Sequence, residues 1–185
     1  TDVSYSEPND VEFDLSCETV LKTWERVAVL HPFTDGQWLL VQRYTYLGWV
    51  KAEDIALCSR AAWVHYSSEE PLVVTAGRLP VRYNTANDAK QLELTMGTTL
   101  PMVKNEVTVA DKTTPSGVLC LLPVRDAGGN LTTRQVRLPL DADVHAGYLP
   151  YTEGNLLTQA FKLMGEPYGW SGLRDTWDCS SLVMD

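Results

Sequence analysis

The residues with the clearest chemical potential stand in the segment "GEPYGWSGLRDTWDCSSLVMD", residues 165–185. It places Cys179 between Asp178 and Ser180, and the apolar pattern that follows predicts a helix beginning at the cysteine. A thiol in the first turn of a helix lies among unpaired backbone N–H groups and at the positive end of the helix dipole, so the thiolate is favoured. Because the thiolate is the nucleophilic form of cysteine, we interpret Cys179 as a candidate nucleophile.

Aromatic residues and glycines surround this cysteine. Tyr168, Trp170 and Trp177 can form the walls of a pocket while presenting polar edges. The three glycines of the segment allow the backbone to approach a ligand or a packed ring closely. Asp178 is suited to hold a cationic group of a substrate and equally to cap the helix. The pattern predicts a nucleophile in a cleft.

An amphipathic helix is predicted directly before this segment, in "PYTEGNLLTQAFKLMG". Thr152 is a suitable N-cap, and Gly165 is a suitable C-terminal stop. Apolar residues recur at 156, 157, 160, 161 and 164, which is the spacing of one helix face. The helix therefore needs a partner to cover that face.

The first part of the chain has the pattern of short strands. The runs are "RVAVLH" (26–31), "WLLVQRY" (38–44) and "YLGWVKAEDIAL" (46–57), with an Asp-Gly turn between the first two. Closely spaced short strands are typical of small β-barrels.

A second group of strands is predicted within residues 61–150. Its runs are "PLVVTAGRLPVRY" (71–83), "LELTMGTTLPMV" (92–103) and "GVLCLLPVRDAGGNLTTRQVRLPL" (117–140). The last run contains a hairpin signal, Gly-Gly-Asn, at residues 128–130.

Composition limits the function classes. A net charge of −9, with no basic segment, argues against nucleic acid as a partner. No apolar run approaches the roughly 20 residues that span a bilayer, so no membrane span is expected. The four cysteines form no CxxC pair, so neither a zinc site nor a thioredoxin-type motif has support. We expect no metal and no cofactor. A bridge between Cys17 and Cys58 and free thiols both remain open.

Two stretches resemble known families. "GEPYGWSG…DCSSLV" resembles the nucleophile motif of NlpC-type cysteine peptidases, and "DGQWLLVQ…LGWVKAEDIA" resembles a bacterial SH3-like domain. Residues 61–150 more weakly resemble the second SH3-like barrel of some multidomain cell-wall peptidases. The resemblance implies a mainly β N-terminal part of two SH3-like barrels, residues 1–60 and 61–150. It also implies that residues 151–185 begin an α+β papain-like peptidase domain.

The resemblance further implies a reaction. Cys179 would attack the γ-D-glutamyl carbonyl of a peptidoglycan stem peptide and form an acyl-enzyme. This step would cleave the bond between γ-D-glutamate and the diamino acid. Asp178 and Ser180 would hold the free N-terminal amine of the peptide's L-alanine. Tyr168 and Trp170 would line that subsite, and Tyr168 would also help to stabilise the oxyanion.

Residues of the first barrel close over this subsite in the family subgroup that cleaves after γ-D-glutamate. Glu25, Tyr44 and Tyr46 are the candidates for that role in this chain. The resemblance implies a cell-envelope or secreted protein, and a cytoplasmic role in wall recycling is the other option.

This chain departs from the family pattern in two ways. Ser171 and Ser181 replace glycines of the motif. The family's base is a histidine downstream of the cysteine, whereas His31, His65 and His145 all lie upstream. We therefore expect the base to lie outside these 185 residues, on the remaining C-terminal half of the peptidase domain, and the chain alone to be inactive.

Two other functions fit the same residues. The chain is either a non-catalytic module that binds wall peptides and carries an incomplete catalytic remnant, or a papain-like acyltransferase or amidase. A histidine in the same assembly separates the peptidase from the binding module. Unusually fast alkylation of Cys179 separates the acyltransferase from the binding module.

Overall fold

A computed structural model describes residues 13–68, 70–84, 89–103 and 117–184. The first twelve residues of the predicted first barrel lie outside this part of the chain. The described residues form mainly β structure, followed by a C-terminal segment of helices. The predicted mainly β N-terminal part is therefore confirmed.

The first β module contains a three-stranded antiparallel sheet in the order β1-β2-β3. Its strands are β1 (Ala28–Pro32), β2 (Trp38–Gln42) and β3 (Leu47–Lys51), followed by a 3-10 turn at Ala52–Asp54. The predicted Asp-Gly turn joins β1 to β2, and Gly36 takes the left-handed φ of 69° that such a turn requires.

A helix that was not predicted, α1 (Arg60–Ser68), links the two β modules. The Ser59 hydroxyl accepts a hydrogen bond from the Ala62 N–H at 3.2 Å, which caps the helix start. Tyr66 packs edge-on against Trp24, with ring centroids 5.1 Å apart. Tertiary contact with the segment before β1 thus stabilises a helix whose own apolar pattern is weak.

The described residues of the second β module form seven strands in three small sheets. The strands are β4 (Pro71–Val74), β5 (Arg78–Asn84), β6 (Ala89–Thr95), β7 (Thr99–Pro101), β8 (Val118–Arg125), β9 (Leu131–Leu138) and β10 (Val144–Ala146). The strand orders are β10-β4-β7, β5-β6 and β8-β9. Gly129, with a φ of 87°, forms the predicted β8–β9 turn. The observed sheets are open, so the described residues do not show the closed barrels that we predicted.

The second module holds the main core. Its buried cluster contains Leu72, Val74, Val81, Leu94, Leu100, Cys120, Leu122, Val136 and Leu138. Alternate residues of the strands point to one side, so the short strands together enclose a dry interior. The first module contributes a single buried hydrophobic residue among those described, Val41.

The C-terminal segment contains α2 (Glu153–Lys162), a 3-10 stretch at Trp170–Asp175 and α3 (Cys179–Met184). The predicted cap is confirmed, because Thr152 accepts a hydrogen bond from the Asn155 N–H at 3.2 Å. Gly165, at a φ of 97°, follows the helix end as predicted. The structure contains no strand of a papain-like sheet among the described residues of this segment, so that domain stays a prediction.

The C-terminal segment docks on the second module through one side. Leu163, Met96 and Trp177 form a small buried cluster. Lys162 Nζ donates to the Thr75 carbonyl at 2.9 Å and pairs with the Asp143 carboxylate at 2.7 Å. Burial would raise the pKa of Asp143, but the hydrogen bonds from Lys162 and Thr75 and the Lys162 charge lower it overall.

No helix in the described part of the chain is long and apolar enough to cross a membrane. The four cysteines are free, so the bridge between Cys17 and Cys58 that the sequence left open is absent.

Candidate active site

Cys179 begins α3 and lies at an open groove of about 500 Å³. Cys179 is exposed, so a substrate or a reagent can reach it. One wall is the apolar face of α2, and the other contains α3 and the residues directly before it. The lining residues are Leu157, Ala160, Phe161, Leu163, Met164, Glu166, Pro167, Tyr168, Trp177, Asp178, Cys179 and Leu182.

Asp178 caps α3 through its carboxylate. Its Oδ1 accepts hydrogen bonds from the Ser180 N–H at 3.1 Å and the Ser181 N–H at 2.7 Å. The hydroxyls of both serines also donate to Oδ1, at 2.9 and 2.8 Å. In return the Asp178 N–H donates to the Ser181 hydroxyl at 2.8 Å, which completes a capping box.

These hydrogen bonds determine the charge state of the carboxylate. Partial burial alone would raise the pKa of Asp178, but the bonds from Ser181, Ser180 and Ser171 outweigh it and lower the pKa to about 2. Asp178 is therefore ionised next to Cys179 at neutral pH. Its Oδ2 accepts one described bond, from the Ser171 N–H at 3.1 Å, and this oxygen has the capacity to accept more.

Tyr168 lies on the same groove as Cys179. The backbone holds it there, because Tyr168 and Trp177 form an isolated β-bridge in which the Gly169 N–H donates a hydrogen bond to the Trp177 carbonyl at 3.1 Å. Desolvation and the neighbouring charges of Cys179 and Asp178 raise the pKa of the Tyr168 phenol. The phenol is therefore protonated at neutral pH and able to donate a hydrogen bond.

Trp170 faces the N-terminal segment. Its Nε1 donates hydrogen bonds to the carbonyls of Asp14 and Cys17, both at 3.1 Å. Its ring packs on Phe13, with ring centroids 5.6 Å apart. Trp170 is absent from the lining of the groove in the described structure, so its predicted contact with substrate stays a prediction.

The structure explains why serine is tolerated at position 171, where the family motif has glycine. Ser171 has a φ of 53°, a left-handed conformation that glycine adopts without strain and other residues adopt at about 1 kcal/mol or more. The Ser171 hydroxyl donates to the Cys17 carbonyl, which offsets part of that cost. Next to it Gly172 has a φ of 77°, and a Cβ there would lie 2.5 Å from a Val20 methyl.

The structure does not bring Glu25, Tyr44 or Tyr46 to the groove lining among the described residues. Glu25 forms an ion pair with Arg43 and accepts the Lys22 N–H at 2.9 Å. Tyr44 is 97% exposed. The roles of these three residues toward a substrate remain predictions.

The sequence pattern did not identify the residues before β1 that contact the loop preceding Cys179. Phe13, Asp14, Cys17 and Val20 contact the loop at Trp170–Gly172 through rings, backbone carbonyls and a methyl group. Backbone carbonyls carry no signal in the sequence, and a lone phenylalanine or valine is indistinguishable from a core residue. Only the docking of the segment reveals them.

The histidines occur away from the groove lining in the part of the chain that the structure describes. His145 contacts the Gly147 carbonyl through Nδ1 at 3.0 Å, and His65 packs beside Tyr66. Within the described ranges, no three His, Cys, Asp or Glu residues cluster as metal ligands would. The described residues therefore supply a thiol, a phenol and two acidic residues, Asp178 and Glu166, to the site.

Comparison with known proteins supports this organisation. Residues 4–51 match the family model of the SH3 domain (SH3b1 type). Residues along 94% of the chain superpose on a solved NlpC/P60 endopeptidase from Photobacterium damselae subsp. piscicida, with a TM-score of 0.76 and 22% sequence identity. The chain spans 35% of the length of that protein. No curated protein sequence matches the chain. The N-terminal part thus contains an SH3 domain, and the chain has the fold of part of an NlpC/P60 endopeptidase.

Proposed function

We propose that this chain is the SH3-containing, nucleophile-bearing part of a cysteine peptidase that hydrolyses bacterial cell-wall peptides, with Cys179 as the nucleophile. The observation that carries the proposal is the exposed Cys179 thiol in a groove that also contains an ionised Asp178 and the Tyr168 phenol. The fold shared with an NlpC/P60 endopeptidase supports the same conclusion.

Each polar group has a chemical role in this proposal. The Cys179 thiolate attacks the γ-D-glutamyl carbonyl and expels the amine of the diamino acid, leaving a thioester that water hydrolyses. The Tyr168 phenol donates a hydrogen bond to the oxyanion. Asp178 Oδ2 accepts a hydrogen bond from the ammonium group of the N-terminal L-alanine, and Ser180 supports Asp178 through its hydrogen bonds to Oδ1.

The base that activates the thiol and protonates the leaving amine belongs to the remaining part of the peptidase domain. The uncovered apolar faces of α2 and α3 support this proposal. Phe161 on α2 is 64% exposed and Val183 on α3 is 85% exposed, although both stand on helix faces that need a covering partner. A sheet in the complete protein would cover the α2 part of the groove and bring a histidine to the end that contains Cys179. The complete enzyme would act at the cell envelope or outside the cell.

The test is hydrolysis of a tripeptide, L-alanyl-γ-D-glutamyl-diamino acid, by the complete protein. We expect release of the diamino acid, complete loss of activity in Cys179→Ser, and no activity from the 185-residue chain alone. The matched control is Cys58→Ser, which removes another exposed thiol and should leave the rate unchanged. Hydrolysis that survives Cys179→Ser excludes the proposed nucleophile.

A second function, binding of wall peptides without catalysis, is favoured by the position of the three histidines away from the groove lining among the described residues. Under this alternative the complete protein binds the tripeptide, as measured by calorimetry, and does not cleave it. Asp178→Asn would then weaken binding, whereas Cys179→Ser would leave it unchanged.

A further inference from the structure

Arg78 extends from the second β module to the segment that carries Cys179. It begins β5, and its guanidinium donates to the Asp175 carbonyl at 2.9 Å and to Glu166 Oε2 at 3.2 Å. It also donates to Glu93 on the neighbouring strand at 2.7 Å. The Glu93 bond and the charges of both glutamates raise the pKa of Arg78 despite its partial burial.

The same guanidinium lies over an aromatic ring. Its central carbon is 5.7 Å from the centre of the Trp177 ring, within the range of a cation–π interaction. Trp177 is 8% exposed and packs with Met96 and Leu163. Arg78 therefore contacts Asp175 and Trp177, the residues four and two positions before Cys179.

The backbone at this point is in a left-handed conformation. Asp175 has a φ of 55°, a region that non-glycine residues occupy uncommonly and that aspartate tolerates better than most. The hydrogen bond from Arg78 to the Asp175 carbonyl is a contact that fixes this conformation directly before the Trp177–Cys179 stretch.

We propose that Arg78 is a positioning residue that sets the location of the Cys179 thiol, so that the second β module controls the presentation of the nucleophile. A rigid guanidinium fork reaches two carboxylates, one carbonyl and a ring face at once, which a lysine ammonium cannot do. The consequence for catalysis rests on the function proposed above, whereas the effect on the thiol's reactivity does not depend on it.

Three of the four free cysteines provide internal reporters for the test. Cys179 reports on the site, exposed Cys58 reports on general thiol chemistry, and Cys120 is fully buried and reports on global unfolding. Alkylation by iodoacetamide followed by peptide mapping measures all three rates in one sample. The variants are Arg78→Met and Arg78→Lys, with Arg82→Met as the control.

Arg82 is the matched control because it lies four residues along the same strand, on the same side, and is exposed. We expect Arg78→Met and Arg78→Lys to change the Cys179-to-Cys58 rate ratio by at least about threefold, since a displaced nucleophile loses its preorganised surroundings. Arg82→Met should leave the ratio unchanged, and Cys120 should stay unreactive in all three variants.

Three results overturn the proposal: an unchanged ratio in Arg78→Met, full rescue by Arg78→Lys, or an equal change in Arg82→Met. If Cys120 becomes reactive in Arg78→Met, Glu93→Gln decides, because Glu93 also anchors the guanidinium and is not among the groove-lining residues. That variant weakens one hydrogen-bond partner of the guanidinium and keeps Arg78, so we expect a smaller change in the Cys179-to-Cys58 ratio while Cys120 stays unreactive. An unchanged ratio overturns the proposal.

The complete protein provides a second readout. Arg78→Met should lower kcat/KM about tenfold or more, because the stretch that carries both the thiol and the groove-lining residues Trp177 and Asp178 is displaced. A wild-type protein without peptidase activity would contradict the proposed function. The alkylation ratios would still test the positioning role of Arg78.

Discussion

The second β module and the C-terminal segment contain similar apolar residues and use them differently. In the module, short strands face one another and enclose nine buried side chains. In the C-terminal segment, Leu163 and Trp177 are buried against the module, while Leu157 and Phe161 of α2 are at least half exposed in the described part of the chain. Cys179 lies at the boundary between the docked side and the exposed side. The comparison shows that an apolar pattern specifies a buried face only where a partner is present to cover it.

The largest expected effect separates the two regions directly. Leu122 is fully buried in the module, so Leu122→Ala should lower the free energy of unfolding by about 2–5 kcal/mol. Leu157 on α2 is 50% exposed, so Leu157→Ala should cost less than about 0.5 kcal/mol. Urea unfolding of both variants measures the difference. Equal losses would show that α2 is covered in solution, for example by a second copy of the chain.

The next effect is a pH dependence that arises at the site. The pKa of Asp178 falls from its ordinary value of 3.8 to about 2 on folding, so ionised Asp178 stabilises the folded chain. That contribution, at most about 2 kcal/mol, is fully present above the unfolded pKa and is lost as the pH falls through the folded pKa.

Asn is also a good N-cap, so Asp178→Asn removes the charge and keeps the cap. Subtracting its stability from that of the wild type between pH 5 and pH 2 isolates Asp178 from other acids such as Asp143. A difference that does not shrink on acidification would contradict the prediction.

A smaller effect concerns the docked side of α2. Lys162→Met removes the ammonium that bonds the Thr75 carbonyl and pairs with Asp143, and we expect a loss of about 1 kcal/mol because the pair is partly exposed. A double-mutant cycle with Asp143→Asn measures the coupling of the pair. Independent, additive losses would mean that the pair does not fasten α2 to the module.

The smallest effect is at Ser171. Ser171→Gly relieves the left-handed backbone but loses the hydroxyl bond to the Cys17 carbonyl, so the two changes should cancel to within about 0.5 kcal/mol. Ser171→Ala keeps the strain and loses the bond, so it should be the less stable variant. Thermal unfolding compares the two variants, and greater stability of the alanine variant would contradict this explanation.

Much of the local structure was predictable because it depends on local rules. The Thr152 cap, the turns at Gly36 and Gly129 and the helix beginning at Cys179 follow from nearby residues and are all present. α1 was not predicted, since its stability comes from Trp24, which is distant in the sequence. Closed barrels were also predicted, whereas the described sheets are open.

The site divides in the same way. The sequence by itself determined the thiol at the start of a helix and the aspartate that caps it, because capping and helix periodicity act over a few residues. Only the tertiary structure decided what holds that helix in place. Arg78 and Cys17 contact the Cys179 segment across 97 and 153 positions of the sequence, through backbone carbonyls and a ring face. Such contacts depend on how modules dock, and no local pattern encodes that geometry.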